Sequence, residues 1–168
     1  DNGATGMQTG VTGNGNAPAT SSAPLSGGIA NLSAFEPVQN DAQDDGPFTT
    51  GNSQIGPDTY PNSIIFYCGA GFQSHVVYNV AGYKTLTTTV GVPNNAKYGA
   101  GNTLSVIFYK DGTSAQLAPA VNVTLDHPQS VRANLDGASQ LVVGCTGSGD
   151  GDHGYTPVAL ANATVGPS

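Results

Sequence analysis

An all-β sandwich is the fold that this sequence predicts, and three observations support the prediction. Short runs of alternating apolar and polar residues recur from residue 31 onward. Turn signals such as Asp111-Gly112 and Asp136-Gly137 separate these runs. No stretch keeps the 3.6-residue period of a helix for long enough to indicate one. The pattern is typical of short strands arranged in two packed sheets.

The predicted strands follow one another along the chain, each bounded by turn residues. In the run TLTTTVGV, Leu86 and Val90 share one face, whereas the opposite face is built from threonine. Threonine suits an exposed strand face because its β-branched side chain fits the pleat and its hydroxyl stays hydrated. The predicted strands are SIIFY (63–67), SHVVYNV (74–80), TLTTTVGV (85–92), TLSVIFYK (103–110), VNVTL (121–125), SVRANL (130–135), QLVVGC (140–145) and PVALANATV (157–165).

The apolar phase of three of these runs predicts the centre of the core. Side chains two residues apart in a strand point to the same face, so the apolar members of each run should be buried together. The residues expected at this centre are Leu86, Val90, Leu104, Val106, Phe108, Leu141 and Val143.

Composition excludes several classes of partner. Only 9% of the 168 residues are charged, and four Lys and Arg against eleven Asp and Glu give a net charge of -7. A chain this acidic has no electrostatic footprint for a phosphate backbone or an anionic membrane, so nucleic acid is not an expected partner. No apolar run is long enough to span a bilayer, which predicts no membrane insertion.

The N-terminal segment differs from the rest of the chain. Residues 1–28 are dense in Gly, Thr, Asn, Ser and Pro and have almost no large apolar side chains, so we interpret them as a tail or linker. Residues 29–168 form the predicted sandwich domain. The numbering starts at Asp1 rather than Met, which we interpret as a mature, secreted chain whose export signal has been removed.

The two cysteines both lie on the apolar phase of a strand. Cys68 follows Phe66 in phase, and Cys145 follows Val143 in phase, so both thiols are expected to point inward. Neither is close in sequence to a histidine or a cation that would activate it, and there is no CxxC spacing. A structural disulfide between Cys68 and Cys145 is therefore favoured over two buried free thiols.

Several blocks along the chain resemble the NPCBM and NPCBM-like families. The blocks are IGPDTYPNSIIFYC, VVYNVAGYKTLTTTVGV, LSVIFYKDGT, VRANLDGASQLVVGC and PVALANATV, and the resemblance covers residues 31–165. The resemblance implies a secreted jelly-roll β-sandwich of the galactose-binding-domain type that binds carbohydrate. The matching positions are Tyr60, Pro61, Tyr78, Asn79, Gly82, Tyr83, Val90, Gly91, Asp111, Gly112, Gly137, Ala138 and Leu141.

The chain has no tryptophan, although modules of this type often carry one before the last strand. Sugar binding in water generally uses an aromatic face together with a few polar groups. Tyr98 in NNAKYGAGN and Tyr155 in DHGYTP lie in predicted loops, and His153 is close to the second of them. We expect these residues to be the ligand contacts, with an aromatic that merely packs its own loop as the alternative.

Two acidic segments are candidates for a structural calcium site. NDAQDDG contains Asp41, Asp44 and Asp45, and GDGDHG contains Asp150 and Asp152. Calcium takes six to eight oxygen ligands, which clustered carboxylates in turns can supply. The alternative is that Asp and Gly simply form turns here. No other cofactor is expected.

The sequence favours a binding protein over an enzyme, because few ionisable residues are available to converge on a reaction. Ser74 and His75 are strand neighbours on opposite faces and cannot act as a nucleophile and base. A second hypothesis is a structural subunit of an extracellular fibre or complex. In that hypothesis the N-terminal tail adds as a strand to the sheet of another copy of the chain.

Overall fold

The protein is a β-sandwich in a computed structural model that describes residues 28–97, 99–149 and 155–167. Short 3-10 turns at Leu32–Ala34 and Ala42–Asp44 interrupt the strands. No helix in the described ranges is long and apolar enough to cross a membrane. The strands are β1 (Ala30–Asn31), β2 (Gln39–Asn40), β3 (Thr49–Ile55), β4 (Asp58–Tyr67), β5 (Gly69–Ala70), β6 (Ser74–Asn79), β7 (Thr85–Gly91), β8 (Leu104–Lys110), β9 (Ala115–Gln116), β10 (Val121–Val123), β11 (Gln129–Asn134), β12 (Gln140–Gly147) and β13 (Pro157–Gly166).

The strands form two sheets, which we call the first and the second sheet. The first has the order β11-β7-β13-β4-β3, with β1 paired to β13. The second has the order β10-β8-β12-β6-β2, with β5 paired to β12 and β9 to β8. All strand pairs are antiparallel except β5 with β12. The jelly-roll sandwich predicted from the sequence is confirmed.

The core lies between the two sheets and contains the side chains that the apolar phase predicted. All seven residues expected at its centre belong to one buried cluster, and Phe108 is 1% exposed. On β7 the threonine face also has the predicted phase, since Thr87 is exposed and Leu86 and Val90 are fully buried. Thr88 lies on the buried phase, and its hydroxyl donates to the carbonyl of Ala161 at 3.1 Å, which satisfies it inside the sheet.

The disulfide that the cysteine phase predicted is present between Cys68 and Cys145. Cys68 directly follows β4 of the first sheet, and Cys145 is in β12 of the second sheet. The bond therefore joins the two sheets through the core, where both residues are fully buried.

The β3–β4 hairpin is the main element that the strand pattern did not predict. β4 begins at Asp58 rather than at residue 63, and β3 pairs with it through a two-residue turn, Gly56-Pro57. Gly56 has φ 59°, a left-handed conformation that favours glycine at the first turn position. A register shift between Gly51 and Ser53 bends the hairpin.

The tip of this hairpin crosses the outer face of the first sheet. β13 pairs with β4 only over Ile64–Tyr67, so the first half of β4 pairs with β3 alone. Ile55 near the tip is 2% exposed and packs with Ala159 and Ala161 of β13. A Cβ on Gly91 of β7 would lie 2.9 Å from Ile55 Cδ1, so glycine is needed for this approach.

Hydrogen bonds fix the crossing hairpin to the segment after β7. The backbone N–H of Gly56 donates to Asn94 Oδ1 at 2.8 Å, and Asn94 Nδ2 donates to the carbonyl of Gly56 at 2.8 Å. The backbone N–H of Asn94 donates to the carbonyl of Gln54 at 2.9 Å. We call this set of bonds the Asn94 clamp.

The two ends of the sandwich differ. At one end, β1 pairs with the last part of β13, with Ala30 opposite Val165. At the other end, which we call the loop end, lie the segments 68–73, 92–97, 99–103, 148–149 and 155–156. β13 spans ten residues between the two ends, which corresponds to about 30 Å.

Tyr78 is a buried phenol, and its ionisation in the unfolded chain should lower the stability of the fold at alkaline pH. Its side chain is 1% exposed, and its hydroxyl has no hydrogen-bond partner in the described part of the chain. Burial raises the pKa of Tyr78 well above its usual value of 10.0, and the carboxylate of Glu36 raises it further. The folded state therefore keeps the phenol neutral at pH values where the unfolded chain ionises it.

We expect the free energy of unfolding to fall as pH rises above about 10, because the unfolded chain then releases a proton that the folded chain retains. Tyr78→Phe removes this contribution, so urea titrations between pH 8 and 11 should show a flatter pH dependence for the variant. At pH 7 the variant should be as stable as the wild type or slightly more so, because it deletes an unpaired buried hydroxyl. An unchanged alkaline slope would contradict the assignment.

Candidate functional site

The segments of the loop end are held together by hydrogen bonds between them. The backbone N–H of Thr103 donates to Ser148 Oγ at 3.0 Å, and the N–H of Ser148 donates to the carbonyl of Thr103 at 3.1 Å. The backbone N–H of Cys68 donates to the carbonyl of Thr156 at 3.0 Å. Asn102 Nδ2 donates to the Thr156 hydroxyl at 2.8 Å in a buried contact. With the disulfide, these bonds give the loop end a preorganised frame.

Phe72 and Tyr155 form an exposed aromatic pair on this frame. Their ring centroids are 6.2 Å apart with an interplanar angle of 70°, an edge-to-face arrangement. Phe72 is 48% exposed, and Tyr155 is partly buried. A Cβ on Gly69 would lie 2.7 Å from Phe72 Cδ2, so the missing side chain at Gly69 lets the Phe72 ring lie against the backbone. The pair offers an apolar surface to solvent.

Of the three ligand contacts predicted from the sequence, the structure describes one. Tyr155 is at the loop end beside Phe72. Tyr98 and His153 lie outside the described residues. Phe72 was not among the predicted contacts. An aromatic residue in the glycine-rich sequence GAGFQ is the signal that could have indicated it.

In the first acidic segment, Asp41 and Asp45 accept hydrogen bonds from protein donors. Asp41 accepts from the backbone N–H of His75 and lies 3.2 Å from His75 Nδ1. Asp45 accepts a hydrogen bond from the hydroxyl of Ser74. Within 28–97, 99–149 and 155–167, no group of three or more His, Cys, Asp or Glu residues could hold a metal ion. Calcium binding by Asp41, Asp44 and Asp45 stays a prediction, and Asp150 and Asp152 lie outside the described residues.

A groove of about 480 Å³ lies between the β3–β4 hairpin and the segment after β7. Its apolar lining comes from Ile65 and Tyr67 of β4 together with prolines. Its polar lining comes from hydroxyls and side-chain amides, including Asn52 and Gln54 of β3. We call it the hairpin groove. A Cβ on Gly46 would lie 2.5 Å from the Tyr67 ring, so Gly46 permits the backbone to approach that ring.

The threonine face of β7 borders a second, shallower depression of about 310 Å³. Thr87 and Thr89 line it together with Arg132 of β11 and Tyr60 of β4. Asn162, at the irregularity of β13 with φ 48°, lies at its border and accepts a hydrogen bond from the N–H of Asn62 at 3.2 Å. On the outer face of the first sheet, the depression beside β7 is thus lined by hydroxyls and by Arg132. The hairpin groove is lined by uncharged groups.

Comparison of structures places this fold beside a set of carbohydrate-binding modules. The second CBM51 and INT domains of Clostridium perfringens ZmpB superpose with a TM-score of 0.67 at 15% identity, covering 82% of this chain and 31% of that chain. The CBM51 of Clostridium perfringens GH95 in complex with methyl-galactose gives a TM-score of 0.58 at 20% identity, covering 82% of this chain and 99% of that one. The tandem CBM51 modules of the Streptococcus pneumoniae family 98 glycoside hydrolase give 0.59 at 10% identity, covering 82% and 46%.

Neither a protein-family model nor a curated protein sequence matches this chain. At identities of 10–20% the structural likeness establishes the β-sandwich fold and leaves the ligand open. The chain spans only 31% of the ZmpB structure, so the activity of that larger protein is not transferred here.

Proposed function

We propose that this protein is a secreted, non-catalytic module of the NPCBM type that binds carbohydrate at its loop end. The observation that carries the proposal is the Phe72–Tyr155 pair, because it presents an exposed aromatic surface beside loop segments that are hydrogen-bonded to one another. The aliphatic face of a pyranose ring stacks on such a surface, and neighbouring loop groups orient its hydroxyls.

The composition supports this assignment. Neutral sugars need hydroxyl, amide and aromatic partners rather than charges, and only 9% of the residues are charged. Similar folds support it as well, since solved CBM51 structures include complexes with GlcNAc and with methyl-galactose. The catalytic alternative finds no support in the strand pair Ser74 and His75, which hydrogen-bond to Asp45 and Asp41 respectively rather than to each other.

The assembly hypothesis depends on residues 1–28, and all but Gly28 lie outside the described part of the chain. It therefore stays untested. Deletion of residues 1–28 should leave glycan binding intact if those residues are a linker, because a linker supplies reach rather than contacts. Size-exclusion chromatography of the same truncated protein tests whether they are needed for association.

Phe72→Ala should weaken binding of the glycans that the wild type selects on an immobilised glycan array. Loss of the stacking surface corresponds to about 1–3 kcal/mol, or about five- to more than hundredfold in Kd. Tyr155→Ala should weaken binding in the same direction, whereas Tyr155→Phe should retain it because the ring remains. Isothermal titration calorimetry with the selected glycan measures each Kd.

Ile29→Ala is the matched control. Ile29 is 76% exposed and lies at the end of the sandwich opposite the loop end, so its loss removes a similar apolar surface without touching the proposed site. Equal weakening by Ile29→Ala and Phe72→Ala would indicate nonspecific adhesion. Wild-type affinity in both Phe72→Ala and Tyr155→Ala would show that the loop-end site is wrong.

A further inference from the structure

We propose that the hairpin groove is a second binding site, separate from the aromatic pair, for a neutral saccharide chain. The groove lies on the outer face of the first sheet and meets the loop end at Pro93, Asn94 and Asn95, whereas Phe72 belongs to the turn between β5 and β6 of the second sheet. No residue that lines the groove belongs to the Phe72–Tyr155 pair. The proposed class of ligand follows from the lining of the groove itself and does not depend on the loop end.

The groove is formed before any ligand arrives. One wall is the β3–β4 hairpin, whose tip is fixed by the three bonds of the Asn94 clamp. Packing of Ile55 against Ala159 and Ala161 also fixes the hairpin against the outer face of the first sheet. A volume of about 480 Å³ is within the range of small-ligand sites, about 300–1,000 Å³. Binding there would require little ordering of the protein, which favours affinity.

The lining selects a neutral ligand with both hydroxyls and an apolar face. Among the described residues that border the groove, none is Lys, Arg, His, Asp or Glu. An anion or a cation would lose hydration there without meeting an opposite charge. Tyr67, Ile65 and Pro157 provide apolar surface, while Asn52, Gln54 and Asn95 provide side-chain amides. Pyranose rings of uncharged polysaccharides have this combination of surfaces.

Ser53 indicates that a polar ligand group is expected inside the groove. It lines the groove and is only 4% exposed, and its Oγ has no hydrogen-bond partner within the described residues. Buried hydroxyls are normally paired, and leaving one unpaired lowers stability. Ser63, a buried serine on the adjacent strand, shows the usual behaviour because its Oγ donates to the carbonyl of Tyr60 at 2.9 Å. Because Ser53 Oγ itself has almost no exposed surface, rotation about χ1 is needed to turn the hydroxyl toward the groove, where a sugar hydroxyl would give it the partner that it lacks.

The test is a titration of the ¹⁵N-labelled full chain, followed by NMR, with hexasaccharides of β-1,4-linked glucose, mannose and xylose and with hexagalacturonate as the charged control. We expect at least one neutral hexasaccharide to shift the amide signals of Asn52, Ser53 and Gln54, and the charged control to leave them unchanged. Ser53→Ala should raise the Kd for that sugar about threefold to tenfold, the effect of one neutral hydrogen bond. Its Tm should equal or exceed that of the wild type.

Ser63→Ala is the matched control, with the opposite expected pattern. It leaves the carbonyl of Tyr60 without its donor, so its Tm should fall while the affinity for the sugar stays at the wild-type value. Wild-type affinity in Ser53→Ala would overturn the proposal. So would a titration in which no neutral hexasaccharide shifts the groove signals.

The same titration separates this proposal from the loop-end site. Shifts confined to Phe72 and Tyr155 would support the loop end and overturn the groove. Shifts confined to Asn52, Ser53 and Gln54 that persist in Phe72→Ala would support the groove and overturn the loop end. Shifts at neither place would overturn both.

Discussion

Replacing Cys68 and Cys145 together by alanine is expected to lower the free energy of unfolding by about 4–5 kcal/mol. The disulfide closes a loop with a sequence separation of 77 residues, and the chain-entropy account of cross-links gives this magnitude for a loop of that length. Both side chains are fully buried between the sheets, so the substitution also removes core packing. Urea unfolding of the two proteins at pH 7 measures the difference.

The wild type unfolded in the presence of a strong reductant is the control, and it should lose a similar amount without any change of sequence. The backbone N–H of Cys68 is bonded to the carbonyl of Thr156, so loosening this point should also disturb the loop end. We therefore expect glycan affinity to fall in the double variant at temperatures where it is still folded. A stability loss below about 1 kcal/mol would mean that the cross-link constrains the unfolded chain far less than its length implies.

Phe108→Ala should lower the free energy of unfolding by about 3–5 kcal/mol. Phe108 is 1% exposed in the centre of β8, and it belongs to the same buried cluster as Leu141 and Val143 of β12. Removing its ring creates a cavity that the flanking strands cannot close without breaking their pairing. Phe108 is paired with Val143 in the register of the two strands, so the surrounding backbone is fixed. Thermal or urea unfolding followed by tyrosine fluorescence measures the loss.

Phe72→Ala is the matched comparison for stability, since it deletes the same side chain at a position that is 48% exposed. It should lower the free energy of unfolding by only about 1 kcal/mol, because less apolar area is returned to water. Equal losses at Phe108 and Phe72 would be incompatible with the burial of β8.

Strand phase was the most informative property of the sequence. The runs around β7, β8 and β12 alternate with a period of two, and each has one buried face, so their inward residues could be named in advance. The cysteine pairing followed from the same phase. β3 could not be found this way, because TTGNSQI contains a glycine and few apolar residues. Ser53 and Ile55 of β3 are buried because the hairpin crosses the first sheet, and no local sequence pattern encodes this long-range contact. The Gly56-Pro57 dipeptide was the one local signal of β3.

The candidate site was less predictable than the core. Tyr155 could be proposed because an aromatic residue in a polar loop is unusual, but its partner Phe72 comes from a distant loop and the pairing depends on the tertiary fold. Ser53 carries no sequence signal at all, since a serine in a glycine-containing segment resembles any turn residue. Ser53 is a candidate only because its side chain is buried and its Oγ has no partner among the described residues, and both are properties of the folded chain.

Because β1 pairs with the end of β13, a force on the two flanking segments would act on one end of the sandwich. Ala30 lies opposite Val165, so the described chain enters and leaves at one pole, while the aromatic pair lies at the other, about 30 Å away along β13. A pull applied through both flanking segments would load β1 and the last residues of β13 without passing through the loop end. A polypeptide joined to either flank would therefore be attached at the end of the sandwich opposite the aromatic pair.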